Sequence, residues 1–96
     1  MSINWVEDIH QMQTKYKTRE WVENNPEKLK EFLKFRVAFL QEELDETREA
    51  YMIGDAEEVV DGLIDLCVVA IGTLDAFGVD PYKAWDEVLK ANMNIY

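Results

Sequence analysis

Ninety-six residues allow one domain with a modest core, so association with further copies of the chain is expected. A formal net charge of −10 at pH 7 excludes the basic footprint that nucleic acid or an anionic membrane surface requires. Apolar residues at 48%, with three Trp, four Tyr and four Phe, exclude a globally disordered chain.

The first residues, "MSINWVEDIHQMQ", show neither the charged n-region nor the apolar h-region of a signal peptide. No apolar run approaches the roughly 18 residues of a membrane span. The expected setting is a soluble, cytoplasmic protein. Trp5, Ile9, Met12 and Tyr16 step by four, three and four, which predicts a first helix over about residues 3–17. The segment "TREWVENN" is open between helix and loop. Asn25 before Pro26 is a cap-then-proline signal, and predicts a second helix to about Ile53. Its apolar stripe is Leu29, Phe32, Leu33, Val37, Leu40, Leu44 and Thr47. Gly54 closes it.

Asp55 caps the next helix, with Glu58 at the capping-box position. That helix spans about Ala56 to Phe77, with the stripe Val60, Leu63, Ile64, Cys67, Ile71 and Leu74. The lone Cys67, inside "LCVVAIGTL", reads as a small core residue. Gly78 ends the helix, Asp80 and Pro81 repeat the cap signal, and a last helix carries Trp85, Val88 and Leu89 to about Met93. The fold class is all-α, a bundle of four to five helices whose tight connections make the central pair an antiparallel hairpin.

Half of the chain's twenty acids fall between Glu42 and Asp65, where Arg48 is the only base. Glu43 and Glu46 are one helical turn apart, with Glu42 and Glu49 beside them. Glu58, Asp61 and Asp65 repeat the three- and four-residue steps on the next helix. Folding at Gly54–Asp55 puts Glu46 level with Asp61 and Glu43 level with Asp65. Facing carboxylates at about 4 Å repel by about 1 kcal/mol in water and about 4 at an effective dielectric of 20. Relief comes from turning into water, from protons or from a cation. A solvated face is the usual explanation for acid-rich helices and suits Asp45 and Glu57, while Glu58 could serve only as a capping residue. The missing Glu–Lys partners at i, i+4 favour a cation, and hard ions such as Mg²⁺ or Mn²⁺ take oxygen ligands.

This pattern resembles the all-α nucleoside triphosphate pyrophosphohydrolases, the MazG-like and phosphoribosyl-ATP pyrophosphohydrolase-like proteins, whose signature is EExxE followed by ExxD. Here it reads "EELDE" at Glu42–Glu46 and "EVVD" at Glu58–Asp61, with "FR" upstream, "GD" at the turn, "GVD" at 78–80 and "ANM" at 91–93. The likeness covers roughly residues 30–94 and looks nearest to short, phage-type members. It implies a MazG-like bundle and Mg²⁺ (or Mn²⁺ in its place) held by Glu43, Glu46, Glu58 and Asp61. The spacer of eleven residues is at the short end of the family range, and a second register uses Asp61 and Asp65 in place of Glu58 and Asp61. Glu42 is implied to orient a ligand or water, with Glu42 and Glu46 the catalytic acids. Where relatives carry a Lys after the tail Asn, this chain has Ile95.

The resemblance also implies cleavage of a nucleoside triphosphate between the α and β phosphates, and a homodimer or homotetramer. The residue inventory agrees with water as nucleophile. The only Ser is Ser2, Cys67 lies in an apolar run, and His10 has no obvious sequence partner. Asn92 matches the tail Asn that contacts substrate. His10 and Gln13 could touch a base or form a surface pair. Trp21 could stack on a base or pack in a core, and Lys83 could reach phosphate or stay on the surface. Phosphoribosyl-ATP is an alternative substrate, and a non-catalytic acidic helical module that binds a basic protein is a rival from another class.

Overall fold

The computed structural model describes residues 4–93. They form α1 (Trp5–Lys15), α2 (Thr18–Asn24), a 3₁₀ turn (Pro26–Lys28), α3 (Leu29–Met52), α4 (Ala56–Ala76) and α5 (Pro81–Met93), with no strand among the described residues. The undecided segment "TREWVENN" is thus helical. No single helix among the described residues is long and apolar enough to cross a membrane.

Local chemistry sets the boundaries. Asn4 Oδ1 accepts from the Glu7 backbone N–H, Asp55 Oδ1 from Glu58, and Asp80 Oδ1 from Tyr82 and Lys83, so three helices start on side-chain caps. At the end of α3, Gly54 (φ +76°) donates to Tyr51 O and Asp55 to Ala50 O. At the end of α4, Gly78 (φ +72°) and Val79 repeat that pattern on Asp75 and Leu74. Asn25 does not act as the expected cap. Its amide donates back to Trp21 O at 2.7 Å and closes α2, so the chain enters α3 through the 3₁₀ turn instead.

Helices α3 and α4 share the most extensive packing. Arg36 meets Val69 and Thr73 at one end, and Thr47 meets Gly62 nearer the turn. The buried face of α4 consists of Gly62, Val69, Gly72 and Ala76. Small residues let the α3 backbone approach closely. A Cβ on Gly62 would overlap the Thr47 hydroxyl and lie 3.0 Å from Thr47 Cβ. Helices α1 and α2 lie against α4, and Trp21, Phe32 and Phe77 link α2, α3 and the end of α4, with ring centroids 5.9 and 5.7 Å apart.

The apolar stripe expected to be the core of α4 points elsewhere. Val60, Leu63, Ile64 and Cys67 are exposed, so Cys67 is a free surface thiol of the protomer and not a core residue. On α3, Leu29, Leu33, Val37 and Leu44 are exposed while Thr47 and Ala50 are buried. No residue of α5 is buried. The reason is steric: the close α3–α4 contact selects small side chains, which leaves the bulky stripes on other faces.

Replacing Gly62 by Ala should destabilise the protein by about 1–3 kcal/mol despite Ala's higher helix propensity. That lowers Tm by several degrees, and a Thr47→Ala background recovers part of the loss. Thermal melts of the four proteins of this cycle check it; an unchanged or raised Tm for Gly62→Ala contradicts the packing.

Candidate metal and nucleotide site

The Thr47–Gly62 contact fixes the level at which the acidic rows meet. Thr47 Oγ1 donates to Glu43 O at 2.8 Å, so the side chain that touches Gly62 is tied to the turn bearing Glu43. Glu43, half-buried, feels the carboxylate of Asp65 across α3–α4. Glu42 and Glu46 flank it on α3. Glu46, Asp61 and Glu58 are exposed, and Glu58 occupies the first turn of α4, where its backbone N–H satisfies Asp55. The structure therefore brings Glu42, Glu43, Glu46 and Asp65 into mutual electrostatic reach. Asp61 lies one turn before Asp65.

Loss of water against the opposing helix is the largest influence on the Glu43 carboxyl. The charges of Glu46, Asp65 and Glu42 follow, then the hydrogen bond with Asp65. All push in one direction, and hold this carboxyl above its ordinary range. Excess negative charge of this kind is what a cation relieves. No three His, Cys, Asp or Glu side chains converge in ligand geometry among the described residues. The all-oxygen donor set still fits a hard divalent ion, because Mg²⁺ commonly takes only one or two carboxylates and fills its shell with water and phosphate oxygens.

A second polar cluster lies farther along α4. His10 of α1, which the sequence left without a partner, is 2.6 Å from Asp75 Oδ1 through Nδ1. Arg19 of α2 donates to the same oxygen at 2.8 Å and to Asp75 O at 3.1 Å. Gln13 donates to Gly72 O at 3.1 Å, so His10 and Gln13 are joined to α4 and are not a surface pair. Arg36 donates to Thr73 Oγ1 and Val69 O and lies over the Phe32 ring, and burial lowers its pKa.

The remaining candidates are distributed around the protomer. Trp21 packs on Phe32 yet keeps a solvent-facing edge. Asn92 is exposed and donates to Val88 O within α5. Lys83 is exposed, and Lys90 pairs with Asp86. Ile95 lies outside the described residues. Asp75 and Arg19 were not singled out by sequence reasoning, and Arg36 entered it only as part of "FR". The available signal was an acid inside the apolar run "VVAIGTLDAF", since a buried carboxylate demands donors from elsewhere in the fold.

A model of the phosphoribosyl-ATP pyrophosphohydrolase family matches residues 9–92. The chain belongs to the phosphoribosyl-ATP pyrophosphohydrolase family. This family sits within the MazG-like all-α nucleotide pyrophosphohydrolase superfamily, so the protein is an enzyme that hydrolyses nucleotide pyrophosphate bonds. No curated protein and no solved structure gave a match. Membership removes the non-catalytic module as a rival. Phosphoribosyl-ATP pyrophosphohydrolase family members are generally dependent on divalent metal, which agrees with the charge state of the acid cluster.

The sign of the Glu43 shift gives a pH dependence. A carboxyl whose folded pKa is raised binds its proton more tightly in the folded than in the unfolded chain. Its contribution to stability is complete below the unfolded carboxyl range and is lost as pH rises through the folded value. Metal-free protein should therefore gain stability from this group as pH falls through its raised folded value toward the ordinary carboxylate range. Glu43→Gln should raise Tm at pH 7, flatten that gain, and weaken the Tm increase produced by Mg²⁺ or Mn²⁺. Melting curves at pH 5, 6 and 7, with and without the ion, check it.

Proposed function

We propose that the chain hydrolyses a nucleoside triphosphate between its α and β phosphates, with Mg²⁺ as cofactor and Mn²⁺ as a substitute. The observation that carries this reading is the electrostatically strained Glu43–Asp65 pair across α3 and α4, in a chain of this family. Glu43, Glu46 and Asp65 would hold the ion, with Asp61 and Glu58 supplying further oxygens from α4. When bound, the ion neutralises phosphate charge and lowers the pKa of a water. Glu42, exposed beside Glu43, orients the attacking water, and Glu42 or Glu46 accepts its proton. Water adds across the anhydride, the bridging P–O bond breaks, and a nucleoside monophosphate and pyrophosphate leave. Asn92, His10, Gln13, Trp21 and Lys83 are assigned to the rest of the substrate. The name of the matched family favours phosphoribosyl-ATP as a second substrate reading.

The working species is proposed to be a homodimer or homotetramer. The protomer exposes 7665 Å², against roughly 5,700 Å² for a compact monomer of its 11.3 kDa mass. Its radius of gyration is 15.3 Å, against about 12.5 Å for a compact domain of this length. An excess of roughly 2,000 Å² matches what one subunit buries in an obligate assembly. Trp85 at 62% exposure, with Val88 and Met93, marks α5 as an apolar face that a second copy covers. A 13-residue helix without such cover is marginal in water.

A panel of NTPs, dNTPs and phosphoribosyl-ATP with Mg²⁺ should release pyrophosphate and no orthophosphate from at least one triphosphate. Glu46→Gln and Asp65→Asn should each lower kcat by about 100-fold or more while the helical circular dichroism signal persists. Orthophosphate as the product, or undiminished turnover in both variants, contradicts the assignment. Light scattering should give two or four copies of the 11.3 kDa chain, and a single-copy mass contradicts the assembly.

A further inference from the structure

Asp75 lies in the last turn of α4, with its side chain only 9% exposed. Both of its donors, Arg19 and His10, approach one oxygen, Oδ1. A guanidinium only donates, so Oδ1 is an acceptor, and the ring nitrogen 2.6 Å away must donate to it as well. In the neutral ring the proton is therefore on Nδ1, and Nε2 is a lone-pair acceptor. Among the described residues Nε2 meets no protein partner. The His10 side chain is 39% exposed, and lines a pocket of about 330 Å³ with Gln13, Thr14, Lys17 and Arg19.

Two further observations set this cluster apart from a stabilising ion pair. Asp75 Oδ2 is buried without any hydrogen-bond partner, although a carboxylate placed for stability alone would use both oxygens. The cluster is also ten residues beyond Asp65 on the same helix, about 15 Å along its axis. A substrate whose phosphates meet Glu43 and Asp65 would carry its nucleoside end toward this region.

We propose that Asp75 is a positioning residue, which fixes His10 in the tautomer whose Nε2 accepts a hydrogen bond from the 2′-hydroxyl or a base amino group on the nucleoside part of the substrate. This rests on the hydrolase reading above. Arg19 supports the arrangement by securing both Oδ1 and the Asp75 carbonyl, which ties α2 to the end of α4.

The test combines nitrogen NMR of labelled histidine with kinetics on ATP, dATP and ITP. These substrates separate a sugar hydroxyl donor from a base amine. The wild type should show protonated Nδ1 and bare Nε2, and Nε2 should shift on adding the nucleotides that carry the donor. Asp75→Ala removes the acceptor and should abolish the tautomer preference. His10→Asn keeps a donor for Asp75 and removes Nε2, so it retains the docking of α1. Both variants should lose about 10- to 100-fold in kcat/KM, mainly through KM, on substrates with the donor, and little on the analogue lacking it. A wild-type ring protonated on Nε2, an Nε2 signal that no nucleotide moves, or an equal loss on all three substrates overturns the proposal. If no nucleotide of the full panel is hydrolysed, the hydrolase reading fails separately, and the response of the ring nitrogens to added nucleotide still decides the role of Asp75.

Discussion

The contact between Thr47 and Gly62 is the constraint on which the rest depends. Without a side chain at Gly62, α3 and α4 come close enough for Thr47 to touch the opposing helix. The same turn of α3 carries Glu43, so the close approach that packs α3 on α4 also brings Glu43 under the influence of Asp65. Packing and electrostatics thus oppose each other within one helical turn. The apolar and small-residue contacts fix the helices, and the half-buried Glu43 bears a repulsion that protons or a cation relieve.

That conflict is the ground on which the acid cluster is proposed as a site and not as a solvated face. A solvated acidic face spreads its charges and intersperses bases at i, i+4. Here the charges of Glu42, Glu46 and Asp65 all bear on Glu43, which is itself partly desolvated. Local disagreement of this kind marks places where function overrides stability. The same holds at the far end of α4, where Asp75 is buried with one oxygen unsatisfied.

Much of this was legible in the sequence, because caps and periodicity are local. Asp55, Asp80, Gly54 and Gly78 take the capping and left-handed roles their positions imply. Counting outward from the Gly54–Asp55 turn put Glu43 level with Asp65, and Asp65 is the α4 acid whose charge bears on Glu43. What could not be read was which of two faces a helix buries. On α4 the bulky stripe through Leu63 and Cys67 carries the stronger apolar signal, yet the small residues Gly62, Val69 and Gly72 face the core. Periodicity measures hydrophobicity and does not register close approach. The partner of His10 was equally invisible, since Asp75 is 65 residues away and only the fold brings them together. Asn25 shows the limit of a cap motif: its amide found Trp21 O first.

The central claim is that Glu43 and Asp65 act as one cation-binding unit across two helices. A double-mutant cycle of Glu43→Gln and Asp65→Asn, read as Mn²⁺ affinity by electron paramagnetic resonance in the presence of nucleotide, tests it most directly. Each single change should weaken binding by about tenfold or more, and the double variant should lose little beyond either single one, because the two share a ligand. Strictly additive losses, or Mn²⁺ affinity untouched by either change, would contradict the account.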